Sequence, residues 1–138
     1  MPVAHKSIIV TGAGCGIGEG TARHLAAQGA LVTVNDINAE AGERVAAEIR
    51  AAGGQAHFVQ ADVTCSADVQ ALVAAAVQQH GRLDCVVNNA GWTHRNQPLL
   101  EVDEATFDKV YAINVKSIFH MTHAVVPLMR KAKGGVII

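Results

Sequence analysis

The chain has 138 residues, half of them hydrophobic and only 4% aromatic, with a formal net charge of -1. That length suits one domain with a real core, and the near-neutral charge, without a basic run, argues against nucleic acid and anionic membrane as partners. No apolar stretch is long enough to cross a bilayer and "MPVAHKSIIV" has no signal-peptide pattern, so the expected compartment is the cytoplasm.

In chain order, residues 7–10 ("SIIV") read as an apolar strand and residues 17–28 as a helix stopped by Gly29. Residues 30–35 form a second strand, apolar on both faces. Asn38 caps a helix carrying Val45 and Ile49, which Gly53 and Gly54 end. Residues 56–61 are a third strand. Val69, Leu72, Val73, Ala76 and Val77 make one helical stripe, closed by Gly81. Residues 83–87 are a fourth strand, followed by an irregular loop over 92–100. Asp103 caps a long helix with Phe107, Val110, Tyr111, Asn114, Ile118, Met121 and Val125 along or near one side, interrupted or bent at Pro127. After Gly134 and Gly135, residues 136–138 begin a fifth strand.

Strand and helix alternating with short connections force parallel pairing, and parallel strands are covered on both faces. The expected architecture is a doubly wound α/β sheet in a single domain over 1–138. The three cysteines, Cys15, Cys65 and Cys85, form no CxxC pair and read as reduced, buried thiols. Seven histidines, His120 and His123 among them, lack partners at ligand spacing, so no metal site is expected.

The chemistry starts at "TGAGCGIG", residues 11–18, which puts four glycines between the first strand and the first helix. Glycine lets a ligand approach the main chain, and the helix N-terminus offers unpaired N–H groups to a phosphate. The spacing fits G-x-x-x-G-x-G over Gly12, Gly16 and Gly18. It equally permits G-x-G-x-G over Gly12, Gly14 and Gly16, as in S-adenosylmethionine-dependent methyltransferases. Asp36, at the end of the second strand, can accept both ribose hydroxyls and would repel a 2′-phosphate. No Arg or Lys stands at 13–15 or 37–38, which favours NAD over NADP if the ligand is a nicotinamide dinucleotide. Asp62 and Val63 end the third strand, where an adenine edge would lie. "NNAG" (88–91) can brace neighbouring loops through its amides and leave an open floor at Ala90 and Gly91. "YAINVKS" (111–117) places Asn114 in the long helix, where an amide must find partners.

Together these motifs resemble the short-chain dehydrogenase/reductase family, in their order and approximate spacing across essentially the whole chain. The resemblance implies a Rossmann-like sheet of order 3-2-1-4-5, ending within the fifth strand. It implies NAD as cofactor, with Gly12, Cys15, Gly16, Ile17 and Gly18 at the pyrophosphate and ribose, Asp36 and Ile37 at the adenosine, Asp62 and Val63 at the adenine, and Asn89, Ala90 and Gly91 along its middle. It gives Asn114 a catalytic role, helping to hold a water of the proton relay. The substrate would be a small-molecule alcohol or ketone, in the manner of 3-oxoacyl-carrier-protein reductases or sugar and polyol dehydrogenases. His94 and Arg95 could face a polar substrate or lie in water.

The family's Tyr-x-x-x-Lys pair is missing, since the only tyrosine, Tyr111, has Val115 four residues later. Nor does a serine follow the fifth strand. The expectation is therefore the cofactor-binding, catalytically incomplete part of a longer reductase, whose full-length parent is a homodimer or homotetramer. Two other classes remain open at this level: a methyltransferase and a non-catalytic NAD-binding module.

Overall fold

Four of the five apolar runs alternate with helices, and the computed structural model, which describes residues 2–138, closes them into one sheet. The elements are β1 (Ser7–Val10), α1 (Gly16–Ala27), β2 (Leu31–Asp36), α2 (Ala39–Ala51), β3 (Gln55–Gln60), α3 (Ser66–His80), β4 (Cys85–Val87), α4 (Glu104–Tyr111), α5 (Ser117–Lys131) and β5 (Val136–Ile137). The strand order is β3-β2-β1-β4-β5 with every pair parallel. This is the Rossmann-like arrangement, and strand boundaries differ from the sequence reading by a residue or two.

Alternation along each strand sorts the core into two layers. Ile8, Val10, Val32 and Val34 meet Ala22, Ala26, Val45, Ala46 and Ile49 of α1 and α2. Ile9 and Val86 meet Val69, Leu72, Val73 and Ala76 of α3 and Met121, Val125 and Met129 of α5. Small residues on the helices let them lie close to the sheet, which explains a core this poor in aromatics. Gly42 is the extreme case, because a Cβ there would collide with the Phe58 ring of β3.

The local signals act as read. Asn38 Oδ1 accepts from the Ala41 N–H at 3.0 Å, and Asp103 Oδ1 from the Thr106 N–H at 2.7 Å. Gly81 ends α3 in the left-handed conformation, φ 73°. Three expectations are corrected. Cys15 and Cys65 are exposed, since both sit at the N-caps of helices, and only Cys85 is partly buried. Pro127 does not interrupt its helix, the first of the two readings given for it, since α5 runs through it to Lys131. The side expected to collect Phe107 through Val125 is not one face: Phe107, Tyr111 and Ile118 point outward while Met121 and Val125 are buried. The reason is a π-helical turn, Ala112–Lys116, which shifts the register between α4 and α5.

α1 and α2 pack over β1, β2 and β3, leaving β4 and β5 open on that face. An open cleft of about 1250 Å³ lies there, walled by Ile8, Leu25, Val87, Leu128, Val136 and Ile138. None of residues 11–18 of the glycine loop lines it.

Candidate functional site

From β1 the chain winds one way to β2 and β3 and, after α3, returns on the other side to β4. The crevice at the carboxyl ends of β1 and β4 is therefore the switch point of the sheet, the place where open α/β sheets bind ligands. Its walls are the glycine loop after β1 and the "NNAG" turn after β4.

The two walls are clasped together. Asn89 Nδ2 donates to the carbonyls of Thr11 and Gly12 at 2.9 and 3.1 Å. The N–H groups of Asn89 and Ala90 donate to the buried Thr11 hydroxyl at 3.1 and 2.9 Å. Asn88 ties the neighbouring strand, its N–H and Nδ2 both donating to the Ile138 carbonyl. The bracing expected of the paired amides is present. Thr11, its central partner, went unread because a threonine after a strand carries no signal of its own.

This clasp sets the glycine requirements. Gly12 is left-handed, φ 60°, and a Cβ on it would stand 2.8 Å from Ala90 Cα. A Cβ on Gly18 would collide with the Gly12 carbonyl and the Asn89 amide. Gly16 is different: it is left-handed too, φ 59°, yet nothing lies within 4 Å of the Cβ position. Its bareness serves open space. Beside it the first turn of α1 presents N–H groups with no intrahelical acceptor, and the N-cap residue Cys15 makes no side-chain capping bond to them. Ile17 and Ile37 are exposed apolar residues on the rim.

Asp36 accepts from the Gly14 N–H through Oδ2 and from the Asn38 N–H through Oδ1, both at 2.9 Å. Each oxygen keeps a lone pair, so the carboxylate is fixed in place without being saturated. Asp62 Oδ1 accepts from the Thr64 N–H and hydroxyl, and its own N–H is held by Asp68 Oδ2 at 3.0 Å. The Val63 side chain is buried in the core, which leaves only its main chain to face a ligand. Buried His120 reaches the Val63 carbonyl through Nδ1 at 3.3 Å and ties α5 to this wall.

Asn114 lies inside the π-helical turn. Its Nδ2 donates to the carbonyls of Trp92 and Val110 at 2.6 and 2.8 Å, and its Oδ1 accepts from the Trp92 N–H at 3.1 Å. A Cβ on Gly91 would press against that Oδ1 at 2.9 Å. Asn114 thus holds the loop that leaves "NNAG", while Lys109 Nζ sits over the Trp92 ring, 4.2 Å from its centre. The structure gathers Gly12, Gly16, Gly18, Asp36, Asn89, Ala90 and Gly91 around one crevice. His94 is spent locally on the Arg95 carbonyl.

One charged residue escaped the sequence reading. Arg44 of α2 reaches back to donate to the Gly14 carbonyl at 3.1 Å and pairs with Glu19 of α1. Hydrogen bonds from Arg44 and then Arg23 hold the Glu19 carboxyl down at about 2. Among the described residues, no group of three His, Cys, Asp or Glu is placed to hold a metal ion, and no helix is long and apolar enough to cross a membrane.

Comparison with known proteins agrees with this geometry. The model of the short chain dehydrogenase family matches residues 6–138. The 7alpha-hydroxysteroid dehydrogenase of Escherichia coli is 41% identical over 133 residues, 96% of this chain and 51% of that protein. The 4-formylbenzenesulfonate dehydrogenase of Comamonas testosteroni is 46% identical over 138 residues, 100% of this chain and 55% of its own length. A solved structure of a 7alpha-hydroxysteroid dehydrogenase with NADH and 7-oxo glycochenodeoxycholic acid superposes with a TM-score of 0.92 at 41% identity, covering 98% of this chain and 52% of that one. The chain spans about half the length of these relatives. It belongs to the short chain dehydrogenase family.

Proposed function

We propose that this chain is the cofactor-holding part of a nicotinamide-dependent oxidoreductase that interconverts a small-molecule alcohol and its carbonyl compound, with NAD preferred over NADP. The observation that carries the reading is the loop at the tip of β1, bare where protein packs against it and equally bare at Gly16, where nothing does. Such a cradle fits a diphosphate: the free N–H groups at the start of α1 meet its oxygens, and the helix dipole favours its charge. Asp36 accepts the adenosine ribose hydroxyls, with Ile37 beside it. Asp62 and the Val63 main chain meet the adenine, Cys15 and Ile17 flank the diphosphate, and Asn89, Ala90 and Gly91 line the middle of the cofactor.

When bound, the nicotinamide supplies the hydride acceptor or donor. The chain's own residues orient and fix the walls. Asn114 has both amide hydrogens engaged, so it acts by setting the Trp92 segment and by opening the helix at the π turn, where a relay water would sit. The group that moves the substrate proton is not among these residues, because Tyr111 is exposed, stacked on Phe107 and followed by Val115 at the lysine position. This chain alone therefore binds cofactor without turnover.

Alcohol and carbonyl chemistry draws support from relatives named for a hydroxysteroid and a formylbenzenesulfonate. A second copy is the proposed cover for the exposed stripe Phe107, Tyr111, Val115, Ile118 and Phe119 along α4 and α5. Exposed free thiols at Cys15 and Cys65 suit the cytoplasm.

Titration calorimetry of the chain with NADH, NADPH and S-adenosylmethionine tests the reading. Saturable binding of NADH, with NADPH at least about tenfold weaker, is expected. Heat from S-adenosylmethionine alone would make the site a methyl-donor site. If the protein containing this chain bound NADH yet oxidised no alcohol and reduced no carbonyl, it would be a non-catalytic NAD-binding module.

A further inference from the structure

Gly14 is held at both ends of its residue by side chains of opposite charge. Its N–H donates to Asp36 Oδ2 at 2.9 Å, and its carbonyl accepts from Arg44 Nη2 at 3.1 Å. The carboxylate that marks the ribose thus stands a single residue's main chain away from a guanidinium. That guanidinium arrives from the middle of α2, eight residues beyond Asp36 in sequence. Position-by-position reading of the loop for a phosphate-binding cation does not find it.

Arg44 is occupied but not buried. Its Nη2 donates to Glu19 Oε2 at 2.9 Å, its Nη1 to Glu19 Oε1 at 3.3 Å, and longer contacts reach Glu48. Glu19 is shared with Arg23 at 2.7 Å. The Arg44 side chain is 45% exposed and that of Glu19 21%, so water reaches the guanidinium and its bonds to Glu19 can be exchanged for others. A phosphate, by contrast, can take the guanidinium fork through two parallel hydrogen bonds.

We propose that Arg44 is a specificity-determining residue of the dinucleotide site: the latent cation for a 2′-phosphate, kept silent by Asp36 in front of it and by Glu19 beside it. The proposal rests on the dinucleotide reading of the glycine loop. Two charges then set cofactor choice. The Asp36 carboxylate meets the ribose first and repels the phosphate, and Glu19 holds the guanidinium on the α1 side. Neutralising Asp36 lets the phosphate approach, and Arg44 then swings from Glu19 to receive it. Neutralising Glu19 as well frees the cation further.

The test is a set of dissociation constants for NADH and NADPH, read by titration calorimetry on the wild-type chain and its Asp36→Asn, Asp36→Asn/Arg44→Met, Asp36→Asn/Arg44→Lys and Asp36→Asn/Glu19→Gln variants. Asn at 36 keeps an acceptor for the loop, and thermal melting followed by circular dichroism checks that each variant is folded. Asp36→Asn is expected to narrow the NADH-over-NADPH preference by roughly tenfold. Adding Arg44→Met should cancel that gain for NADPH and leave NADH within about twofold, while Arg44→Lys retains part of it and Glu19→Gln enlarges it. Added salt should weaken NADPH binding to Asp36→Asn more than NADH binding. The proposal is overturned if Asp36→Asn/Arg44→Met binds NADPH as tightly as Asp36→Asn. It is overturned equally if Arg44→Met weakens both nucleotides alike, which would make Arg44 a brace for Gly14 only. A wild-type chain that binds neither nucleotide removes the dinucleotide reading itself, an outcome recognised before any variant is compared.

Discussion

Gly12, Thr11 and Asn89 show how one residue's geometry dictates another's identity. The Thr11 hydroxyl oxygen accepts from two N–H groups of the opposite wall, which draws Ala90 against Gly12 and forbids a Cβ there. The glycines were legible because left-handed backbone and close approach leave a compositional trace. Arg44 was not, since its relation to Gly14 exists only once α2 has packed beside α1. The cysteines misled for a related reason: a small apolar residue is usually buried, but a helix N-cap holds it at the surface. Asn114 offers the sharpest single-residue prediction. Two of its three hydrogen bonds hold the main chain of Trp92, the only tryptophan in the chain, and the third goes to the Val110 carbonyl. Asn114→Ala should release that segment, shift Trp92 emission to the red, raise its quenching by acrylamide and cost about 1 kcal/mol of stability, since the bonds lost are exposed or half-buried and water can replace them. Unchanged emission and quenching would mean that Trp92 is held by Lys109 and the backbone alone.

Among the elements, α1, α2 and α3 were readable from periodicity, as were the Asn38 cap of α2 and the glycine stops, because their apolar faces are regular; the N-caps Cys15 and Cys65 were not. The passage from α4 to α5 was not. Helical periodicity assumes 3.6 residues per turn throughout, and the π-helical turn at Ala112–Lys116, within which Asn114 bonds to Trp92, inserts an offset. At the other end of the sheet, strands β1, β2 and β3 meet α3 through a polar cluster. Ser7 Oγ and His80 Nδ1 lie 2.9 Å apart, Thr33 Oγ1 and His57 Nε2 3.4 Å, and the two imidazoles meet edge to face at 4.9 Å. Burial, then His80, then Arg50 push His57 down to about 4 from its ordinary 6.5, and burial also lowers His80. The unfolded chain takes up these protons more readily than the folded one. Stability is therefore full above about 6.5 and falls as pH drops through the window toward about 4. With partial exposure discounted, the loss should be on the order of 1–2 kcal/mol, seen as a lower urea midpoint at pH 5 than at pH 7.5. His57→Asn should shrink the difference; equal midpoints in the parent chain would show the cluster to be wet.

For the whole molecule, the position of the crevice follows from one fact, that this open parallel sheet reverses its winding. The reversal falls between β1 and β4, and the glycines, Asp36, "NNAG" and Asn114 stand around that point. This is why motifs that are individually weak read so well together. The open face beside β4 and β5 was less legible, because periodicity tells which residues a strand turns inward and not what covers them. That face carries an open apolar concavity of about 1250 Å³, a rival location for any bound nucleotide. The most direct measurement is a crystal structure of the chain soaked at saturating NADH. The account predicts diphosphate oxygens within hydrogen-bond distance of the N–H groups of Ile17 and Gly18, and ribose hydroxyls on the Asp36 carboxylate. A nucleotide lodged in the cleft by β5, or a glycine crevice holding none, would contradict it.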